Sequence, residues 1–544
     1  MRGYGELSLL SARLAVDRPL FGGDGGVMVA ARRSYADLVL PAIIPDDEGG
    51  FPYAITDVTG RFDLDLGDSE SIEASVLWER DDLFGDLADV TQGNRASWGN
   101  LATRLTYRHP LFGASSSHTL GLTRYGLDVG RAPPDPELDR QFNTVSFEPA
   151  ESRLHHLFLR GRFGPADPDR PVTDWQAGYE IVGRSVRYDG PVPVVVPGLS
   201  TSGHLAYDSD LYRGALWGQY RWRPAEPLEV RAGLRLEAGE PVPRAGTVEP
   251  APRLRLRYSV SPNLSVSAAA GRHFQFTQSM ATRGGHPGSS LHPARGWRVA
   301  GGEVPALRTD LVTLGGEWWL GSQWLAGLTL YRRWGDGLLR PALSEGVLRE
   351  PPTMVSGTES ARGAEVSLRK VAGRWTLSAS YSYGTADLSA AGPTRSSPSE
   401  RRHLVDLTTM WRPASWFRIG GAYSAGSGSP LTRLFRYVVT PSGDRERVDG
   451  LARLGEPGGG RGPGYSRLDL LGEFTADLGA LRMAVYLQVR NALGHENDRL
   501  YQGSRDCRGA NDSTLGCSRL ERGVDDRYEQ GLPTVPLLGF RFAF

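Results

Sequence analysis

The sequence predicts an all-β fold, a large antiparallel transmembrane β-barrel, and three observations carry that prediction. The chain ends on a strand: Leu538, Phe540, Phe542 and Phe544 share one face, and Leu537, Gly539, Arg541 and Ala543 the other, because strand side chains alternate with period two. Termini usually fray into water, so an apolar face that finishes flush on an aromatic residue suits the closing strand of a barrel in lipid. Period-two alternation also recurs along almost the whole chain, often with charge on the second face. The links between strands, finally, alternate between short and long.

Composition agrees. A chain of 544 residues can hold several ordinary domains or one very large barrel. Its 62 Lys and Arg balance 62 Asp and Glu, so no global field favours nucleic acid. The 69 Gly and 37 Pro suit a chain with many turns. No run of about eighteen apolar residues occurs, which excludes a transmembrane helix. The start, Met1 to Leu7, lacks the charged and apolar regions of a signal peptide.

The alternation places strands at roughly 6–17, 26–38, 53–66, 70–81, 97–108, 117–128, 152–163, 171–186, 210–223, 226–238, 251–260, 263–274, 305–319, 323–334, 358–371, 374–385, 401–412, 416–426, 464–475, 481–492 and 531–544. The clearest runs from Trp375 to Tyr383, where Trp375, Leu377, Ala379, Tyr381 and Tyr383 alternate with Thr376, Ser378, Ser380 and Ser382. In others the second face is charged. Leu254, Leu256 and Tyr258 alternate with Arg253, Arg255 and Arg257, and Val230, Ala232 and Leu234 with Arg231, Gly233 and Arg235. Charge at every second position cannot face a sandwich core, but it can face solvent or a wet lumen.

The links choose between those two. Short ones include Gly67-Asp68-Ser69, Pro224-Ala225, Ser261-Pro262, Gly321-Ser322, Ala372-Gly373 and Pro413-Ala414-Ser415. Long ones lie near 129–151, 187–209, 275–304, 335–357, 427–463 and 493–530 and are rich in Gly, Pro, Asp, Ser and Arg. Short turns on one rim and long loops on the other are the layout of an outer-membrane barrel. A soluble propeller would need a repeated blade motif, and none occurs. The reading yields about 21 strands, whereas bacterial single-chain barrels have even numbers. Counting back from the terminal strand leaves one ascending strand missing before Gly5, for a total of about 22.

Several segments then resemble one family. They are Ala31 to Asp37 (ARRSYAD), Pro252 to Pro262 (PRLRLRYSVSP), Ala270 to Gln275 (AGRHFQ), Gly363 to Lys370 (GAEVSLRK), Tyr465 to Leu470 (YSRLDL), Val489 to Leu493 (VRNAL) and the terminal Gly539 to Phe544 (GFRFAF). Each is loose, but their order and spacing across nearly the whole chain resemble the barrel of a TonB-dependent receptor. The resemblance implies energy-coupled uptake of a scarce ligand across the outer membrane, with the long outer loops contacting that ligand. It also implies outer-membrane lipid and the barrel-assembly machinery as partners. Phe540, Phe542 and Phe544 are expected to face lipid and to form the terminal signal that machinery reads.

Such receptors also carry a signal peptide, a TonB-binding box and a plug, none of which is visible here. Residues 1–544 are therefore expected to be the barrel domain alone, N-terminally truncated, with the TonB complex reached only through the absent part. The alternative is a passive porin-like pore or a structural surface barrel.

Other signals carry less chemistry. Cys507 and Cys517, in a polar segment, are expected to form a local disulfide as in exported proteins; free thiols are the alternative. His155 and His156 are strand neighbours that point to opposite faces, which argues against a metal pair. His495-Glu496-Asn497-Asp498 lacks the helical spacing of a zinc site. The acidic stretch Glu79 to Asp86 could offer oxygen ligands to calcium but reads as a solvated loop. Gly458 to Gly464 has no following helix to make a phosphate cradle and reads as a flexible outer loop. Trp318, Trp319, Trp324, Trp375, Trp411 and Trp416 sit at strand ends, where an aromatic girdle belongs. No catalytic residue, metal site or cofactor is predicted.

Overall fold

The computed structural model describes residues 2–544 apart from positions 36, 40–52, 68, 85–93, 132–148, 166–172, 192–203, 241–247, 281–295, 302–303, 343–344, 349–352, 440–444, 448–451, 498–499, 507–523 and 530–532. One antiparallel sheet closes on itself as a barrel of 22 strands. In chain order these are β1 (Arg2–Ser8), β2 (Ser11–Leu20), β3 (Gly25–Ser34), β4 (Tyr53–Gly67), β5 (Glu70–Phe84), β6 (Asn94–Leu111), β7 (Ala114–Arg131) and β8 (Ala150–Pro165). They continue as β9 (Thr173–Pro191), β10 (His204–Ala225), β11 (Leu228–Glu240), β12 (Glu249–Ser261), β13 (Leu264–Gln275), β14 (Leu307–Leu320) and β15 (Trp324–Pro341). The last seven are β16 (Met354–Ala372), β17 (Trp375–Ser389), β18 (His403–Ala414), β19 (Phe417–Gly426), β20 (Tyr465–Leu478), β21 (Leu481–Arg490) and β22 (Val535–Ala543). A two-residue piece, Arg395–Ser396, adds to the edge of β17.

The even total agrees with the count, but the strand inferred to be missing is present. The stretch read as one strand over 6–17 is two, β1 and β2, paired from Arg2 opposite Asp17 to Leu7 opposite Ala12. The turn between them escapes pattern reading because it contains no Gly, Pro, Asn or Asp. Two serines build it instead: Ser11 N–H donates to Ser8 Oγ at 3.1 Å, and Ser8 Oγ donates to Ser11 O at 3.1 Å. Tyr35 N–H then caps Leu10 O at 2.9 Å.

β1 also pairs with β22, and this seam closes the barrel. Gly5 lies opposite Phe542 and Leu7 opposite Phe540. On the outer face the ring tips of Phe542 and Phe544 lie over Gly5 and Gly3. A Cβ at either glycine would fall 2.1 and 2.2 Å from a ring carbon, so only glycine admits them. On the inner face Arg541 reaches Glu6 at 3.3 Å and also pairs with Glu473, while Tyr486 Oη donates to Glu6 at 2.9 Å.

Tight turns at one rim use positive φ where the sequence supplies glycine, as at Gly321 (φ 68°) and Gly373 (φ 64°). Phe112 (φ 52°) and Gly113 (φ 74°) make a two-residue turn in a link that looked longer, because β6 and β7 run on to Leu111 and from Ala114. Strands overrun their expected ends at the other rim too. β10 spans 22 residues, far more than the 9–11 or so needed to cross a bilayer, so the wall projects beyond the membrane and shortens the loops. The predicted long loops 129–151 and 187–209 shrink accordingly to the links after Arg131 and Pro191.

Outward side chains are apolar and exposed, including Ile181, Leu216, Leu314, Leu330 and Leu487, as a lipid-facing surface requires. Among the described residues no helix is long and apolar enough to cross a membrane. Five of the six tryptophans expected in the girdle sit outward by the short-turn rim. Trp375 stacks on Trp411 at 5.2 Å, Trp416 on Phe474 at 5.8 Å, and Lys370 covers Trp324 at 5.1 Å. Trp319 is the exception: it shares the register of Glu317, which faces the lumen.

Candidate functional site

The functional surface is the lumen and its outer mouth. Inward positions on β8 to β12 place charge on neighbouring strands in register. Glu180 (β9) accepts from Arg235 (β11) at 2.9 Å and Arg160 (β8) at 3.3 Å, and lies 3.9 Å from Arg213 (β10). Glu237 (β11) holds Arg235 at 2.9 Å and also pairs with Arg213. Removing a charge from water is tolerated where opposite charge and hydrogen bonds replace the water, and this five-member network supplies both. On other walls Glu73 binds Arg108 at 3.1 Å together with Arg104, and Glu473 binds Arg418 at 2.7 Å together with Arg541.

Above that network the link between β13 and β14 turns into the barrel, which pattern reading missed. Thr277–Ser279 pairs with Trp297–Val299 as a short ladder. Phe276, Val299 and Ala300 pack on Val186 and Leu211, inward residues of β9 and β10. Val186 and Leu211 are 0 and 1 % exposed, so this segment gives the lumen a small apolar core of its own. Polar staples surround it. Arg184 donates to Thr277 Oγ1, Tyr207 Oη to Trp297 O, and the Arg213 guanidinium sits 4.3 Å over the Phe276 ring. On its other side, toward β15, Gln278 donates to Gly337 O at 2.7 Å and accepts from Leu339 N–H at 3.0 Å. A faint signal existed in the sequence: Phe274 and Phe276 extend the β13 alternation into a nominal loop.

The outer rim carries a second polar cluster. Glu400, between β17 and β18, accepts from Ala386 N–H at 3.0 Å, from Arg402 at 3.0 Å and from Arg461. Burial pushes its carboxyl up, but the bonds from Ala386 and Arg461 outweigh burial and hold it below the ordinary carboxylate range. Gly460–Arg461 pairs with Pro430–Leu431, so the glycine-rich stretch read as a free loop is partly laddered. Ser397 Oγ donates to Glu359 at 2.6 Å, and Glu359 also pairs with Arg333 at 2.7 Å.

His155 and His156 do point apart; His156 packs on Phe158 at 5.3 Å in the lumen. Glu79 to Phe84 is strand rather than loop, with Asp81 accepting from Tyr53 at 2.6 Å and Asp82 paired with Arg80 at 3.0 Å. Asn497 accepts from Ser466 N–H and donates to Ser466 O, both at 2.8 Å, which makes it a structural clamp. Among the described residues no group of three or more His, Cys, Asp or Glu could hold a metal. Cys507, Cys517, Asp86 and Asp498 lie outside the described residues.

This geometry has known counterparts. The family model for TonB dependent receptor-like β-barrels matches residues 30–492. Among solved structures, a mutant of the ferric enterobactin receptor from Pseudomonas aeruginosa aligns with a TM-score of 0.63 at 12% identity, over 100% of this chain and 80% of that one. The ferripyoverdine receptor of the outer membrane of the same organism, bound to ferripyoverdine, gives 0.65 at 12%, over 100% and 72%. The ferric-catecholate import receptor from E. coli K12 gives 0.65 at 12%, over 100% and 81%. At that identity the structures establish a shared fold. No curated protein sequence matches the chain. The family match, together with the closed 22-strand wall, is sufficient: the chain belongs to the TonB-dependent receptor-like β-barrel family, and it is an outer-membrane barrel.

Proposed function

We propose that this barrel takes up a scarce small ligand across the outer membrane, with energy supplied through the TonB complex. The observation that carries this is the family match over a wall of 22 strands whose lumen is lined by ion-paired arginines. An iron chelate is the ligand class the reading favours, since the three receptors above are named for such ligands. The test is uptake of labelled ferric chelates by cells with and without the gene. Uptake that requires the gene and stops when a protonophore collapses the proton gradient is the expected result. Gene-dependent uptake indifferent to the protonophore sinks the reading in favour of a passive pore.

Outer-membrane lipid and the barrel-assembly machinery complete the proposed partners, with Phe540, Phe542 and Phe544 as the terminal signal. The support is the seam itself, where Phe540 and Phe544 are exposed on the outer face. Phe544→Asp is expected to abolish most folded, heat-modifiable barrel in membranes; wild-type levels on a gel would remove the proposal.

A further inference from the structure

Strand register sets two arginines side by side on the outer face of the barrel, away from the lumen. Arg332 on β15 stands directly opposite Arg362 on β16, one outward position above Leu330 and Ala364 and two above Leu328 and Val366. Leu328, Leu330 and Val366 are exposed on the lipid side, and residues two apart on a strand share a face. Both arginines therefore point outward, and both are exposed.

Their height follows from the girdle. The outward positions of β15 run Trp324, Ala326, Leu328, Leu330 and Arg332, and those of β16 run Lys370, Leu368, Val366, Ala364 and Arg362. At about 3.3 Å per residue and a tilt of about 35–45°, the stretch from Trp324 to Arg332 climbs about 19–22 Å toward the long-loop rim. The apolar band of such a barrel is about 25 Å tall, and an arginine stem carries its charged head further along the wall. The two guanidiniums thus emerge where hydrocarbon gives way to the headgroups of the outer leaflet.

Nothing in the chain neutralises this pair. Like charges directly opposite one another destabilise a sheet, and a cation at the lipid face adds a cost of its own. Among the described residues neither guanidinium has an ion pair or a hydrogen bond; Arg332 lies 4.8 Å over the ring of Trp334. The outward carboxylates nearby serve elsewhere: Asp310 binds Arg272 at 2.7 Å and Asp336 binds Arg308 at 3.3 Å. Asp387, opposite Ser360, pairs with neither arginine. On β5 the outward Arg80 has Asp82 at 3.0 Å, while Arg124 on β7 lacks a carboxylate but stands alone, opposite His155.

We propose that Arg332 and Arg362 form a binding site for the phosphate of an outer-leaflet lipid headgroup. Directly opposite residues have Cβ atoms about 4.5–5.5 Å apart, so both guanidinium forks can close on one phosphate. A free phosphate would meet the same forks, but a lipid also lays its acyl chains along Leu328, Leu330 and Val366 directly below. A second copy of this chain, meeting the same surface about a two-fold axis, would bring like charge against like. The site depends on the outer-membrane location of the barrel and not on the uptake reading.

The probe is lipid A, whose headgroup carries phosphate, beside a synthetic analogue without phosphate. Each is mixed with the full chain folded in detergent, and retained lipid is counted by native mass spectrometry. Preferential retention of the phosphorylated lipid is the expected result. The double variant Arg332→Gln/Arg362→Gln should lower that preference about tenfold, as loss of a charge-assisted bond implies. Lys370→Gln, an outward cation at the opposite rim, should keep it. Heat-modifiable mobility establishes that each variant is folded. Equal retention of both lipids by the wild-type barrel overturns the proposal, as does an undiminished preference in the double variant. Displacement of the lipid by micromolar inorganic pyrophosphate would overturn it in favour of a free-phosphate site. A dimer that the double variant loses would overturn it in favour of a second copy.

Discussion

Two stretches of wall, β10 to β12 and β17 to β18, share an outer face and differ completely inside. Outside, Leu234, Leu254 and Leu256 on the first correspond to Leu377, Tyr381 and Leu407 on the second. Inside, the first presents Arg213, Arg221, Arg231, Arg235, Arg253 and Arg255, and the second Ser378, Ser380, Ser382 and Thr408. Lipid imposes one rule on every outward position, because an unpaired polar group there has no water to bind. The lumen imposes none of that kind, so its chemistry can be local and specific to what it holds.

If the outer rule is uniform, outward charge should cost the same on both walls. Leu256 on β12 and Leu407 on β18 are equally exposed, each at 38%. Leu256→Arg and Leu407→Arg are each expected to cost about 2–4 kcal/mol if near the bilayer midplane, read by urea unfolding in lipid vesicles. A β12 variant that unfolds like the wild type, beside a β18 variant that does not, would break the comparison.

Inside, the walls should diverge. Glu180→Gln strips the shared partner from Arg235 and Arg160 and should cost about 1–3 kcal/mol. Ser380→Ala on the serine wall should stay within about 0.5 kcal/mol. The same unfolding assay reads both, and equal effects would mean that the arginine network is only decorative.

The smallest effect concerns the rim of the serine wall, where Glu400 takes the Ala386 N–H. Its carboxyl is lowered in the folded state, so its contribution is fully present above the unfolded carboxylate range, near pH 4.3. That contribution is lost as pH falls through the lower folded value. Hydrogen exchange of the Ala386 amide, corrected for intrinsic rates, should stay protected at pH 5 and above and loosen only in stronger acid. Glu400→Gln should abolish the acid-dependent step. Unchanged acid dependence in that variant would mean another group anchors the rim.

Alternation and link lengths alone are enough for the barrel, the even strand total, the outward set and, but for Trp319, the girdle, because lipid-facing alternation is written residue by residue. Most turns marked by Gly, Pro or Asn were legible, though at Gly113 the strands run closer to the turn than their alternation shows. The turn at Leu9-Leu10 was not, since serine side chains form it without any such residue. What the lumen contains depends on contacts between strands far apart in the chain. The alternation of Arg231 and Arg255 shows that each faces inward, but their direct opposition depends on register between strands, and Arg162 joins them from 69 positions before Arg231 in the chain. The in-folded segment at Phe276 was equally hidden, because its apolar partners Val186 and Leu211 sit on inward positions that read locally as facing water. Closure of a sheet brings distant inward faces together across one space, and no local period records which faces those are.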